Sequence, residues 1–426
     1  MTGQTADGSE TILQPGSPSA KPADPVRLST TFVWLYALAW GGGVVAYAPF
    51  LTLILPLRVE ALAPSDKVAL LSLIALTGAL VAGVVNIGVG VLSDRSVGSR
   101  HGRRRWVLLG LVLTLACYGL LPFCSTPAAL LAGVVVFQIA LNIMLGPLGT
   151  IAADEVPDSQ KGVVSAAMGA GGALGMLAGV IVTVSPRFGP ITQLMIVAVL
   201  VVVCVAPFLL FSRCRGALVA AAEQSATAVS RRRRDLVRVW IARLLVQICG
   251  SVLFAYLVFY LQTVDRTGLP FGPPDIAGQS AWLSGSVSIA LIPLAIVIGR
   301  LSDRAGSRRP FLVATAGMVA VGLLIMALAH HWALAFLAYA LFSCGVGLFL
   351  ALQTAYAMQL LANPSHRGRD MGVLNLTNTL PSMAATGLAW LLARGGDFTV
   401  VMFVLAGLAT IGATLMASVR DTSSEV

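Results

Sequence analysis

The sequence predicts an all-α membrane protein with twelve transmembrane helices in two six-helix pseudo-symmetric halves. Three observations predict it: a very low charge content, twelve apolar runs of membrane length, and a motif that recurs half a chain later. The chain has 426 residues, 57% hydrophobic and 11% charged. A soluble domain carries about 25% charged residues. Less than half that density leaves too little polar surface for a body facing water, which excludes a large soluble protein. It also excludes intrinsic disorder of the whole chain. The 43 glycines fit this class, because Gly is commoner in membrane helices than in soluble ones.

The apolar runs lie at 31–55, 68–92, 106–123, 128–151, 162–185, 190–212, 239–263, 280–301, 311–329, 332–360, 371–393 and 398–418. A helix needs about 20 apolar residues to cross the hydrocarbon core, and each run reaches or approaches that length. Pro49, Pro147 and Pro293 fall inside runs. Membrane helices tolerate them where neighbouring groups re-satisfy the freed backbone.

The 28 basic residues order these spans. With the N-terminus inside, 22 fall on the inner side and 5 on the outer side, with Arg243 inside a span. Cytoplasmic loops carry such an excess, so both termini are expected in the cytoplasm. The expected setting is multi-pass in the plasma (inner) membrane. A net charge of +10 can indicate nucleic acid. Here the charges sit in short segments between spans, so topology explains them and no nucleic-acid partner is expected. Residues 1–29 read as a disordered cytoplasmic tail and 420–426 as a second tail. Six cysteines sit in or beside apolar runs without CxxC spacing, and read as small packing residues. No metal and no cofactor are expected. Walker A, HExxH and paired mid-span carboxylates are all missing from the sequence, which argues against an enzyme.

Gly90-Val-Leu-Ser-Asp94-Arg95 recurs as Gly299-Arg-Leu-Ser-Asp303-Arg304, 209 residues later. Pro157…Lys161-Gly162 recurs as Pro364…Arg367-Gly368 at an offset of 206–207. The repeat divides the chain into a half at 30–212, a basic linker at 213–238 containing Arg231–Arg234, and a half at 239–419. The pattern G-x-L-S-D-R-x-G-x-R-R between the second and third spans of each half resembles the signature of the major facilitator superfamily. The copy at 299–309 matches closely. The longer copy ending at Arg103, Arg104 and Arg105 loosely resembles the sugar–cation symporter and sucrose transporter branch.

The resemblance implies a secondary transporter working by alternating access, with gating roles for Asp94, Arg95, Asp303 and Arg304. Gly90 and Gly299 would let helices approach closely. It also implies that the first and fourth helices of each half line a central cavity. Polar residues in those spans are therefore the candidate solute contacts, since polar groups facing lipid are costly. Tyr36, Trp40 and Tyr47 share one face of the first span, where aromatic rings can stack on a sugar or simply pack. Gln138 and Asn142 lie i,i+4 on the fourth, able to bond hydroxyls or a neighbouring helix. Arg243, Gln247 and Tyr256 lie on the seventh, Gln353 and Tyr356 on the tenth, and Asn375, Asn378 and Ser382 on the eleventh. Arg243 has two readings: snorkelling to the cytoplasmic surface, or contacting an anionic solute. Gly171, Gly175 and Gly179 form a stripe suited to tight packing.

No Asp or Glu lies mid-span. Proton coupling often uses such a carboxylate, so a proton remains only an allowed partner beside the small solute and the surrounding lipid. Three function classes follow. The first is a transporter of a small, sugar-like solute, sufficient as a monomer. The second is an exporter of amphipathic or hydrophobic compounds. The third is a membrane assembly protein that keeps a carrier fold.

Overall fold

A computed structural model describes residues 28–96, 99, 102–157, 160–169, 171–183, 189–212, 226–265, 276–361, 366–392 and 398–420. The tail at 1–27, the linker part at 213–225 and the side chain of Ser382 lie outside the described residues.

The described residues are helical almost throughout. The helices in order are α1 (Thr30–Leu62), α2 (Lys67–Asp94), α3 (Arg104–Leu120) and α4 (Pro127–Glu155). Two segments, Lys161–Gly169 and Gly171–Thr183, form α5, and α6 is Pro190–Phe211. The second half runs α7 (Ala226–Thr263), α8 (Ile276–Arg304), α9 (Arg309–Leu328), α10 (Trp332–Leu360), α11 (Arg367–Leu392) and α12 (Phe398–Ser418). Among the described residues, ten helices are long and apolar enough to cross a membrane by length and composition alone.

Two boundaries depart from the sequence reading. The first span was expected to end near residue 55, yet α1 continues to Leu62 through a π-helical turn at Phe50–Ile54. Pro49 just precedes that turn. Its ring lacks an N–H and crowds the carbonyl one turn back, and the wider π turn accommodates the change. The seventh span was expected from residue 239, but α7 begins at Ala226. The Arg231–Arg234 run therefore belongs to a helix rather than to a loop, with Arg233 and Arg234 exposed.

Within each half the third and fourth helices make their tightest approach at a glycine. A Cβ on Gly110 of α3 would sit 2.6 Å from the Met144 Cα of α4. A Cβ on Gly322 of α9 would sit 2.9 Å from the Phe342 Cα of α10. Around these seams lie buried aromatics, such as Phe50, Tyr118 and Phe137 with ring centroids 4.8–6.4 Å apart. The Tyr118 hydroxyl donates to the Ala46 carbonyl, so its one polar group is satisfied inside the apolar core. The outward faces are apolar: Phe254 is 85% exposed and Leu210 75%. A belt of this kind suits lipid, where burying apolar surface from water is the governing term.

The halves meet through α2 against α11, and through the first segment of α5 against α8 and α10. These contacts gather at the end of the bundle that carries Asp94, Lys161, Asp303 and Arg367, called the charged end below.

Replacing Gly110 with Val should destabilise the fold by about 1–3 kcal/mol through overpacking against the α4 backbone. A lowered melting temperature of the detergent-purified protein checks this.

Candidate functional site: a two-carboxylate latch below a central cavity

The latch starts from two helix ends. The first N–H groups of any helix lack partners inside it and carry a partial positive charge. At the charged end, α2 delivers Asp94 to the N-terminus of α11. Its Oδ1 accepts from the Gly368 N–H at 2.7 Å and its Oδ2 from the Arg369 N–H at 3.1 Å. In the other half, α8 delivers Asp303 against the first turn of α5, where the backbone N–H groups of Gly162 and Val163 face its carboxylate. The two repeated motifs are thus each other's partners, docked crosswise. Asp94 caps the helix that opens with Arg367-Gly368, and Asp303 faces the first turn of the helix that opens with Lys161-Gly162.

Side chains brace both carboxylates. Arg103 donates to Asp94 at 2.7 Å, to Asp154 at 2.7 Å and to the Ser93 hydroxyl at 2.6 Å. Arg367 reaches from the second half to Asp154 at 3.4 Å. Arg308 donates to Asp303 at 2.5 Å. Lys161 donates to the Met358 carbonyl of α10 at 3.3 Å, a further bond between halves. Arg104 forms a bidentate pair with Glu155 at 2.5 and 3.0 Å, and its guanidinium covers the Phe208 ring at 5.1 Å. That pair ties α3, α4 and α6 within one half. Most of these side chains are buried, and breaking such a pair by removing one partner costs about 3–5 kcal/mol.

The gating expectations divide here. Asp94 and Asp303 are the capping groups. Arg95 and Arg304 are exposed, and the arginines that bond the carboxylates are Arg103 and Arg308 instead. The aspartates turn toward the opposite half, and the residue one position later on the helix points elsewhere. The glycines differ as well. A Cβ on Gly90 would sit 2.6 Å from the Gly368 carbonyl carbon, whereas one on Gly299 would be 3.4 Å from the Gly162 oxygen. Of the two motif glycines, only Gly90 is required by a close backbone approach.

Above the latch lie two adjoining cavities of about 580 and 650 Å3. Trp40, Val44, Tyr47, Asn375 and Asn378 line both. The first extends along α1, α2 and α4 as far as Leu55 and Leu71, toward the end remote from the latch. The second sits between the halves and adds Arg243, Gln247, Gln353 and Thr354.

A chain of amides connects them. Asn142 donates to the Gln138 carbonyl at 2.7 Å, and Asn86 donates to Asn142 at 2.6 Å. Asn375 then donates across the halves to Asn86 at 3.3 Å, and Asn378 donates to Asn375 at 3.4 Å. The chain ends at Arg243, which donates to Asn378 at 3.1 Å, to Thr354 at 2.9 Å and to Gln353. Gln247 also donates to Asn378 at 3.3 Å. Arg243 therefore reaches sideways across the cavity rather than along α7 toward Arg238. Holding arginine at membrane depth costs about 2.5–3.5 kcal/mol on insertion scales.

Of the thirteen candidate solute contacts, Ser382 lies outside the described side chains, and nine of the other twelve line these cavities. Tyr36, Tyr256 and Tyr356 do not. Tyr36 is fully buried, donates to the Leu148 carbonyl at 3.0 Å, and packs against Phe32 and Phe208. Although it shares a helical face with Trp40, it lies one turn nearer the charged end, where α4 and α6 close over it. Tyr356 donates to the Arg420 carbonyl at 3.0 Å, below the cavity floor. Tyr256 is half-buried outside both cavities. The sequence reading missed Asn86, Ser165, Ser288, Thr354 and Thr379. Asn86 had a visible signal, being a lone amide in the apolar window 68–92. Thr354 and Ser288 had none, since hydroxyls can bond their own helix.

The sequence profile of the Major Facilitator Superfamily matches residues 35–278 and again 275–425. The chain belongs to the major facilitator superfamily. Among solved structures, FucP in the outward conformation superposes with a TM-score of 0.70 at 14% identity, covering 92% of this chain and 99% of that one. The human organic anion transporter MFSD10 (TETRAN) gives 0.67 at 16% identity, covering 90% and 98%. A bacterial homologue of the iron transporter ferroportin, outward-facing, gives 0.66 at 15% identity, covering 91% and 98%. At these identities the likeness is one of fold. No curated relative matches at the level of sequence. Membership and fold make this superfamily protein a multi-pass membrane transporter rather than an enzyme, and alternating access is the mode such a fold supports.

Replacing Gly90 with Val should force α2 and α11 apart at the charged end, while Gly299→Ala should not. Distances between spin labels at Leu92 and Arg369, in a cysteine-free background, check both.

Proposed function

We propose that this protein is a secondary transporter of a small, polar, hydroxyl-bearing organic solute. The observation that carries the reading is a cavity between the halves, lined by amides and two aromatic rings and closed at one end by the crossed latch. Amides bond hydroxyls without burying a net charge. Trp40 and Tyr47 offer apolar faces to a ring. The rocking bodies are the halves 30–212 and 239–419, joined by the linker 213–238. The positive-inside charge pattern supports a cytoplasmic charged end, cytoplasmic termini and residence in the plasma membrane. With the latch formed, the cavity then faces outward. The cavity lies wholly within one chain, so a monomer suffices.

Among the described residues lining either cavity, none is acidic. This favours facilitated flux or exchange over proton symport, although the E. coli fucose:proton symporter FucP has a similar fold. A second reading, export of amphipathic compounds, draws support from the apolar walls of the first cavity at Leu51, Leu55, Leu71 and Ile74.

The test is flux into proteoliposomes from a labelled panel of neutral sugars, polyols and their acids, with and without a pH gradient. Protein-dependent flux of a panel member is expected. Efflux of amphipathic dyes without flux of polar solutes would support the second reading instead. No flux of any solute, together with a stable protein partner on purification, would replace transport by an assembly role. Asp303→Asn should lower flux at least severalfold while insertion stays normal, because a neutral amide caps a helix N-terminus more weakly than a carboxylate. Unchanged flux would remove the latch from the mechanism.

A further inference from the structure

We infer that the solute carries a carboxylate, held by Arg243, next to hydroxyl groups: a hydroxylated organic acid of sugar size. The inference rests on the transport reading and names the substrate class of the same site.

Arg243 is the one charged residue among the described residues lining the second cavity. No carboxylate among the described residues pairs with it. Its three recorded bonds go to neutral groups on Gln353, Thr354 and Asn378. Such bonds orient a guanidinium without neutralising it. A net positive charge in a mostly apolar cavity is stabilised by an anion brought from outside, and a planar fork of N–H groups matches a carboxylate.

The polar atoms left over at this end are complementary to the same ligand. The Arg243 Nε and the Gln353 Nε2 are buried donors without a partner. The Gln247 Oε1 is a buried acceptor without one. Two free donors suit the oxygens of a carboxylate. One free acceptor suits a hydroxyl on the adjacent carbon. Buried polar atoms are normally bonded, and residues lining this cavity carry four orphans, these three and the Ser165 Oγ; a ligand that turns Arg243, Gln247 and Gln353 toward the cavity would pair theirs. Trp40 and Tyr47 line the same cavity and would cover the carbon skeleton. The amide chain from Asn378 to Asn86 would take the remaining hydroxyls. A cavity of about 650 Å3 has room for a six-carbon acid.

The experiment uses the full chain in proteoliposomes, with matched labelled probes: glucuronate against glucose, and gluconate against glucitol. Thermal stabilisation of the detergent-purified protein by the same four compounds is read in parallel. The acids should move and stabilise, and their neutral partners should do so more weakly. Arg243→Gln should cut the acid flux roughly tenfold to hundredfold, the worth of a charged hydrogen-bond pair. Arg243→Lys keeps the charge and loses the fork, so it should fall between wild type and Arg243→Gln. Its monodisperse elution separates a binding defect from misfolding. Neutral partners moving as well as the acids, with the same loss for both in Arg243→Gln, would overturn the carboxylate and leave transport standing. Flux of none of the four, with flux of amphipathic dyes, would overturn both the acid and the polar-solute reading.

Discussion

Two aspartates set against two helix N-termini across the interface between the halves, with Asp94 bonded directly to the start of α11, are the interaction on which the rest of this structure depends. The bond is strong because it joins a full negative charge to backbone N–H groups that nothing else satisfies. It is also directional, since Asp94 needs Gly368 and Arg369 within about 3 Å. Packed apolar surfaces tolerate small slides at little cost, but a capped helix end does not. Such a directional contact suits a switch between two states.

The cavity follows from the latch. With α2 drawn onto α11 and α5 onto α8 and α10, the helices converge at the charged end and diverge away from it. Tyr36 and Tyr356 mark the convergence, each buried and bonded to a backbone carbonyl. Trp40 and Tyr47 mark the divergence, one and three turns higher on α1. The bond from Asn375 to Asn86 crosses the halves between these levels. It joins the cavity wall to the same α2–α11 seam that the Asp94 cap holds.

Much of the fold was legible beforehand because membrane helices obey a simple rule: every backbone group must be satisfied within the segment, so apolar length reads directly as helix. The repeat was legible because both motifs stand at one offset. Nine cavity-lining residues were legible because amides, arginine and aromatics are conspicuous inside apolar runs. Tyr36 misled because helical face alone does not set depth in a bundle. Arg95 and Arg304 misled because the repeat marks them as strongly as their aspartate neighbours, although side chains one residue apart point about 100° away from each other on a helix. Pro49 was visible, but the π turn after it was not, since the same residue can kink, break or be absorbed.

The sequence by itself determined which segments are helices, where the charges cluster and that the chain is built twice over. These are local or periodic properties, carried by hydropathy and by repetition. Only the tertiary structure decided that the two motif pairs dock crosswise, and that Arg103 and Arg308 rather than Arg95 and Arg304 brace them. It alone brought Asn86, Asn375 and Arg243 to one cavity. The physical reason is that helix rotation and depth are set by packing against neighbours, through approaches as close as Gly90 on Gly368. No single helix encodes the position of its partner.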